Sequence, residues 1–154
     1  MPHNLSIVLV TPEIPTNTGS IGRLCLATNS TLHLIDPLGF DISDSRVKRA
    51  GLDYWKHLDV KRHKSFEVFL DSLPTGAPTV FFSKKSKNSL YEKKFEQGSY
   101  LIFGCETKGL GDELIEKFSK DTFNIPQYDD RVRSLNLANA ASIVVYEAIR
   151  QLGY

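Results

Sequence analysis

Short apolar runs, each about the length of a β-strand, alternate with amphipathic segments along the chain. Five of these runs are predicted to be strands, at residues 5–10, 31–36, 79–83, 100–104 and 122–126. Several are apolar at successive positions, as in YLIF at residues 100–103, which is typical of parallel strands covered on both faces.

Helical periodicity fills the intervals between these runs, with helices predicted at about 18–29, 43–50, 65–73, 112–118 and 135–152. The last helix is the longest, and one apolar stripe along it comprises Leu137, Ala141, Val144, Val145, Ala148 and Leu152. Ala140 and Ile143 widen that stripe, so a second packing partner is expected, most simply another subunit. The alternation predicts an α/β fold, a mostly parallel sheet covered by helices on both faces.

Length and composition indicate a single globular domain spanning residues 1–154. A chain of 154 residues can bury one substantial core, and its 41% hydrophobic and 24% charged residues are ordinary for a folded protein. No apolar run approaches the roughly 20 residues that span a bilayer. The first fifteen residues lack a basic segment before their apolar run, so no signal peptide is expected.

The cysteines and histidines do not suggest a metal site. Cys25 and Cys105 are far apart, and the four histidines, at positions 3, 33, 57 and 63, do not have the spacing of metal ligands. Two unpaired thiols suit a reducing compartment. We therefore expect a cytoplasmic protein without a metal ion and without a membrane partner.

Positive charge is concentrated in the middle of the chain. Residues 41–94 carry twelve Lys and Arg against seven Asp and Glu, although the net charge of the whole chain is only +1. A solvated surface would explain this pattern. A polyanion site would also explain it, because Lys and Arg that neutralise phosphates release counterions. Composition alone leaves both interpretations open.

Ligands of parallel sheets bind beyond the carboxyl ends of the strands, which directs attention to the turns after Val10, Phe82, Phe103 and Ile125. The third turn, GCETKGLG at residues 104–111, has glycines with P-loop spacing but Leu110 and Gly111 where that motif needs Lys and Ser or Thr. The dinucleotide motif G-x-G-x-x-G also fails to match. A ligand with little phosphate fits better, while a turn whose glycines only supply left-handed geometry stays open.

Two predicted helix entrances carry more polar groups than capping needs. NTGSIGR at residues 17–23 places Asn17 before a helix and Arg23 about two turns inside it. RSLNLAN at residues 133–139 supplies Arg133, Ser134, Asn136 and Asn139, of which one would suffice as a cap. Surplus polar side chains at the entrance of a helix in a parallel-sheet protein indicate a site.

Together these stretches resemble the three ordered motifs of the SPOUT class of RNA methyltransferases, in its ribose 2′-O branch. NTGSIGR resembles the first motif, LIFGCETKGL at residues 101–110 the second, and IPQ at 125–127 with RSLNLANAASIVVYEAIRQ at 133–151 the third. The similarity is greatest to the small tRNA (cytidine/uridine-34 2′-O)-methyltransferases, a group whose Arg-Ala-Gly-Leu-Asp-Tyr matches residues 49–54. Cys105, Ala138 and Gly22 depart from the family pattern, and none removes a group that the chemistry needs.

The resemblance implies a cofactor, partners and site residues. It implies S-adenosylmethionine, a tRNA substrate, a C-terminal deep trefoil knot and a homodimer with its site at or near the interface. Arg23 matches the arginine proposed to act on the ribose hydroxyl, with Asn17 beside it, and the remaining polar positions are Glu106, Ser134 and Asn136. The cofactor would be held largely through backbone groups, by Phe82, Gly104, Ile125, Ser134 and Leu135.

Two alternatives stay open at this point. The same enzyme could act on ribosomal RNA or on another tRNA position, because the sequence contains no specificity element that we can interpret. A non-catalytic dimeric RNA-binding module of the same fold is the other, although the residues that such a module could lose are all present.

Overall fold

The computed structural model describes residues 2–154, except for the side chains of residues 51–53, which belong to the segment RAGLDYW. Its strands are β1 (Ser6–Val10), β2 (Thr31–Ile35), β3 (Val60–His63), β4 (Thr79–Phe82), β5 (Tyr100–Phe103) and β6 (Thr122–Phe123). Its α-helices are α1 (Pro15–Thr28), α2 (Ser45–Gly51), α3 (Phe66–Asp71), α4 (Asp112–Lys117) and α5 (Leu137–Leu152). A 3₁₀ helix, Leu52–His57, follows α2 directly.

The six strands form one sheet in the order β3-β2-β1-β5-β4-β6, and every neighbouring pair is parallel. The chain builds β1, β2 and β3 outward to one edge, crosses to β4, and returns so that β5 lies between β1 and β4. The order of strands therefore reverses next to β1, where ligands of such sheets usually bind.

Both faces of the sheet are covered, as predicted from the apolar strands. Alternate residues such as Ile7 and Leu101 pack with α1 and α5 in one buried cluster. Their neighbours, such as Val8 and Ile102, pack with Phe69 of α3 and with residues of α4 in a second cluster on the other face. This period of two places nearly every side chain of the central strands in a core.

Three elements of the structure differ from the prediction. Strand β3 was not predicted, because its residues Lys61 and Arg62 are exposed at the sheet edge and give the segment no apolar pattern. Helix α1 begins at Pro15, three residues before the predicted start, since a proline fits the first helical turn, where no backbone donor is needed. Strand β6 is also only two residues long, against the five predicted.

Within residues 2–154, no helix is both long enough and apolar enough to cross a membrane. Across the same range, no group of three or more His, Cys, Asp or Glu side chains is arranged to hold a metal ion.

A pair of histidines, His33 buried and His63 half-buried, gives the fold a specific pH dependence. Nδ1 of His33 lies 2.9 Å from Nε2 of His63, and both rings pack edge-on against Phe69. Burial lowers the pKa of His33 from 6.5 to about 4, and the neighbouring His63 ring adds to this shift. Native His33 therefore stays neutral in mild acid, whereas the same residue in the unfolded chain takes up a proton.

We expect the free energy of unfolding to fall as the pH drops from about 6.5 to about 4, with a contribution from His33 of up to about 1.4 kcal/mol per pH unit. Urea unfolding across this range should show a shallower loss in His33→Gln, which cannot take up the proton. His57→Gln, at an exposed position, should behave like the wild type. Equal slopes for His33→Gln and the wild type would contradict this account.

Candidate active site

A cavity of about 410 Å³ lies at the carboxyl ends of β4, β5 and β6 and against the start of α1. All four turns singled out in the sequence border it, through Asn17, Phe82, Gly104 and Ile125. Its size is within the range usual for small-molecule sites. The parallel topology brings these turns together because the carboxyl ends of all the strands point to one edge.

Eight of the nine predicted site residues line this cavity. They are Asn17, Phe82, Gly104, Glu106, Ile125, Ser134, Leu135 and Asn136. Arg23, the ninth, does not line the cavity and is exposed on α1. Six residues separate it from Asn17, a rise of about 9 Å along the helix. Within one chain the structure therefore does not bring the predicted catalytic arginine to the cavity.

The turn after β5 is closed on itself. The amide of Cys105 donates to the carbonyl of Gly109 at 3.2 Å, and the amide of Gly109 donates back to Cys105 at 3.0 Å. Gly109 and Gly111 both have positive φ, so the glycines do supply the left-handed geometry considered from the sequence. A Cβ on Gly104 would lie 2.0 Å from the backbone carbon of Gly109. Only glycine at position 104 allows the turn to close.

Glu106 joins this turn to the start of α1. Its carboxylate accepts hydrogen bonds from the backbone amides of Glu13 and Ile14, both at 2.8 Å, and from Nδ2 of Asn17 at 3.2 Å. Ile14, the residue before the helix, has no cap from its own side chain. A carboxylate 92 residues away in the sequence thus supplies the acceptor and the negative charge that helix N-termini favour.

Asn17 connects all three motifs. Its Oδ1 accepts a hydrogen bond from Nδ2 of Asn136 at 3.0 Å, while its own amide nitrogen donates to Glu106. Asn136 in turn caps α5, because its Oδ1 accepts from the amides of Ala138 and Asn139 at 2.8 and 3.2 Å. The prediction that Asn17 precedes the helix was wrong. It is buried inside α1, and its side chain serves the loops rather than a cap.

The cavity combines an apolar part with a basic rim. The rings of Phe82 and Phe103 stack with their centroids 5.1 Å apart, and both side chains are buried. Ser134 is exposed at the opening. The remaining lining residues include three apolar and four basic ones: Ile125, Leu135, Ala140, Lys84, Lys85, Lys108 and Arg133. Ala140 was predicted to widen the apolar stripe on the outside of α5. In the structure it faces the cavity.

Arg23 belongs to a different surface, formed by α1 and the segment after α2. Its guanidinium carbon lies 5.6 Å from the centre of the Tyr54 ring, close enough for a cation–π contact. The preceding residue, Gly22, is buried, and a Cβ there would lie 2.6 Å from Cζ3 of Trp55. The departure from the family pattern at position 22 thus makes room for the Trp55 ring against α1.

Replacing Gly22 with Val is expected to push Trp55 away from α1 and to destabilise the fold by about 1–3 kcal/mol. Trp55 is the only tryptophan in the chain, so a red shift of the emission would report the displacement directly. Ala27→Val, at an exposed position of the same helix, is the matched control and should leave the emission unchanged. Wild-type emission from a folded Gly22→Val protein would show that this contact does not hold Trp55.

Two contacts at the cavity were not predicted from the sequence. Glu13 accepts hydrogen bonds from Thr107, and Lys84 donates to the backbone carbonyl of Arg133. Glu13 stands between two prolines in a segment interpreted only as a break after the first strand. Glu13 precedes Asn17 by four residues, which could have suggested that it lies near the site, but nothing in the sequence indicates Thr107 as its hydrogen-bond partner.

The fold and the cavity define a parallel α/β protein with a ligand site at the carboxyl edge of its sheet. The chain belongs to the SpoU rRNA Methylase family, whose model matches residues 4–146. A tRNA (cytidine(34)-2′-O)-methyltransferase from Aeromonas hydrophila subsp. hydrophila is 48% identical over 153 residues, covering 97% of this chain and 96% of its own.

Solved structures agree with this assignment. One from work on the 2-OH methylation of C/U34 on tRNA has a TM-score of 0.94 and 49% identity, covering 99% of this chain and 98% of its own. The SpoU methyltransferase AviRb from Streptomyces viridochromogenes, solved in complex with the cofactor AdoMet, has a TM-score of 0.85 and 27% identity. It covers 99% of this chain and 59% of its own.

Proposed function

We propose that this protein transfers a methyl group from S-adenosylmethionine to the ribose 2′-hydroxyl of the wobble nucleotide, C34 or U34, of tRNA. Leucine tRNAs are the isoacceptors expected from the group that it resembles. The observation that carries the proposal is the match, over nearly the whole chain, to relatives named for this reaction. The cavity supports it independently, because the three motif loops that carry the resemblance meet there.

The residues around the cavity suit S-adenosylmethionine. The stacked Phe82 and Phe103 and the apolar Ile125 and Leu135 offer a surface for an adenosine and an aliphatic chain, and the turn at Gly104 presents backbone groups. The carboxylate of Glu106 is compatible with a positively charged ligand and unfavourable for a pyrophosphate. When bound, the cofactor supplies a methyl group on a positively charged sulfur, which makes that carbon a strong electrophile.

The chain itself must orient the ribose and remove the proton from the 2′-oxygen as that oxygen takes up the methyl group. Arg23 is our candidate for orienting the ribose. A guanidinium stays protonated in proteins, so it is a poor base. We therefore assign Arg23 to gripping the ribose and an adjacent phosphate, with that phosphate accepting the proton. Asn17, Glu106 and Asn136 hold the loops together, and Ser134 lies exposed at the opening, where it can meet the substrate.

A homodimer would reconcile the position of Arg23 with this role. Arg23 is exposed and lies outside the cavity of its own chain, so a second subunit could place its arginine there. Ile143 and Tyr146 on α5 are 42% and 55% exposed, which leaves apolar surface for such a contact. Sedimentation should give about twice 17.3 kDa.

Mixed dimers provide a sharper test of the shared site. Subunits with Arg23→Ala keep an intact cavity, and subunits with Gly104→Val keep an intact arginine. A mixture should regain a clear fraction of wild-type activity if each site combines the two chains, although each variant alone is inactive. Absence of any recovery after verified subunit exchange would place Arg23 and the cavity in one chain.

Three further properties belong to the proposal. Residues 1–154 would form one methyltransferase domain whose C-terminal segment is threaded as a deep trefoil knot. The family resemblance supports the knot, and the segment before α5 packs against the turn after β5 through Arg133 and Thr107. We also propose a cytoplasmic location, consistent with the free thiols of Cys25 and Cys105.

The choice of RNA separates this proposal from its alternatives. The purified protein with labelled S-adenosylmethionine should methylate an unmodified leucine tRNA transcript and leave ribosomal RNA transcripts unlabelled. Labelling of ribosomal RNA alone would favour the other substrate class. Cofactor binding without any methyl transfer would favour a non-catalytic RNA-binding module.

A further inference from the structure

The tip of the turn after β5 is held from two sides at Thr107. The amide and the hydroxyl Oγ1 of Thr107 both donate to Oε1 of Glu13, at 3.0 and 2.7 Å. The carbonyl of Thr107 accepts a hydrogen bond from Nη2 of Arg133 at 2.9 Å. Every polar group of Thr107 is therefore hydrogen-bonded. The partners are Glu13, from the segment before α1, and Arg133, from the segment before α5.

Glu13 is well placed to act as an anchor, because its own backbone is fixed. Its amide donates to Glu106, and the neighbouring Pro12 carbonyl accepts from the amide of Gly39 at 2.9 Å. The chain at Gly39 lies so close that a Cβ there would be 2.8 Å from the Cα of Glu13. Glu106 and Glu13 thus form reciprocal bonds, each carboxylate accepting from the other's loop.

The charge of Glu13 strengthens this arrangement. Hydrogen bonds from the hydroxyl and the amide of Thr107 hold the pKa of the Glu13 carboxyl below its usual value, so the group is anionic at neutral pH. Hydrogen bonds to an ionised acceptor are stronger than those between neutral groups. The contact is exposed to solvent, and neither Glu13 nor Thr107 belongs to a hydrophobic cluster, so its loss should leave the core intact.

We propose that Glu13 and Arg133 are positioning residues that clamp the turn 105–109 at Thr107 and thereby set how long S-adenosylmethionine stays bound. The inference rests on the proposed function, because it takes that cofactor as the ligand of the cavity. The turn contributes Gly104 to Gly109 to the cavity wall. A turn already held in its bound conformation loses less conformational entropy when the ligand binds.

The test compares Glu13→Ala and Thr107→Val with two reference variants. Thr107→Ser keeps the hydroxyl and the amide and should behave like the wild type. Glu116→Ala removes an exposed glutamate from α4, away from the cavity, and serves as the charge control. Calorimetry and dissociation kinetics with S-adenosylhomocysteine would measure the affinity, and steady-state assays would separate KM for each substrate from kcat.

For Glu13→Ala and Thr107→Val we expect about a tenfold rise in Kd for S-adenosylhomocysteine and in KM for the cofactor, carried mainly by faster dissociation. The KM for tRNA and the kcat at saturation should change less than about twofold. The double variant should bind no more weakly than Glu13→Ala alone, because Glu13→Ala already removes the acceptor of both hydrogen bonds from Thr107. Wild-type cofactor affinity in a folded Glu13→Ala protein, or a loss of kcat at unchanged affinity, would overturn the clamp.

Hydrogen exchange separates failure of the clamp from failure of the proposed function. In Glu13→Ala, the amide of Thr107 loses its acceptor, so exchange in residues 105–109 should accelerate even without any ligand. If the wild type failed to bind S-adenosylmethionine, the proposed function would fall, while this exchange measurement would still test the contact. Unchanged exchange at Thr107 would overturn the inference directly.

Discussion

Arg23→Ala is expected to lower methyl transfer to tRNA by orders of magnitude while leaving the folded protein and its cofactor binding nearly unchanged. The side chain is exposed on α1 and lies outside the cavity, so its removal should cost under about 1 kcal/mol of folding free energy. A group that acts mainly on the transition state lowers kcat and kcat/KM together. Single-turnover assays at saturating tRNA, with thermal unfolding beside them, would measure both effects.

Two further variants distinguish a role of Arg23 in the reaction from a role in RNA binding. Arg23→Lys should restore little activity, because a point charge cannot replace the planar fork that grips a hydroxyl and a phosphate together. Lys61→Ala, on the exposed edge strand β3, should weaken RNA binding and flatten its salt dependence without lowering turnover at saturation. Lys61 is preferable to Arg62 because its ion pair with Asp59 is long, at 3.7 Å, whereas the guanidinium of Arg62 lies 2.7 Å from the carboxylate of Asp36. Normal turnover by Arg23→Ala at saturating tRNA would move Arg23 to the RNA-binding surface.

Gly104→Val is expected to raise the Kd for S-adenosylmethionine by at least about a hundredfold. Any Cβ at position 104 would overlap the backbone of Gly109 and Leu110, at 2.0 and 2.1 Å, and a backbone atom cannot move aside as a side chain can. The turn itself must therefore open, and with it the wall of the cavity.

Gly98→Asn is the matched control for Gly104→Val, because it also replaces a glycine near β5. Gly98 also lies next to β5 and has φ of +75°, a Cβ added to it would meet no atom within 4 Å, and asparagine tolerates that backbone conformation. Cofactor affinity should remain near the wild-type value there. Calorimetry with S-adenosylmethionine would compare the two variants, with NAD and ATP as ligands that the wild type should not bind. Tight cofactor binding by a folded Gly104→Val protein would contradict the role of the turn.

The sequence predicted which turns meet at the cavity because their meeting follows from topology. Apolar strands separated by helices predict a parallel sheet, and the carboxyl ends of parallel strands meet at one edge. The turns containing Gly104 and Ile125 could therefore be grouped without a structure. The edge strand β3 escaped prediction for the converse reason, since its exposed Lys61 and Arg62 remove the apolar signal on which the prediction depends.

Long-range hydrogen bonds account for most of what the sequence could not predict. The family resemblance gave Glu106 only as a polar site position, whereas the structure shows that its carboxylate accepts hydrogen bonds at the start of α1. Glu13 and Thr107 are 94 residues apart, and nothing in either local segment indicates the contact. Arg23 lies outside the cavity on α1, a helix whose start the sequence placed three residues too late.

The central claim concerns one hydroxyl group, and two leucine tRNA transcripts that differ only there would test it most directly. One carries cytidine at position 34, and the other carries 2′-deoxycytidine at the same position. With purified protein and S-adenosylmethionine, mass spectrometry of the digested nucleosides should find 2′-O-methylcytidine in the first transcript and no added methyl group in the second. Equal methylation of both transcripts would contradict the assignment to the 2′-oxygen of nucleotide 34.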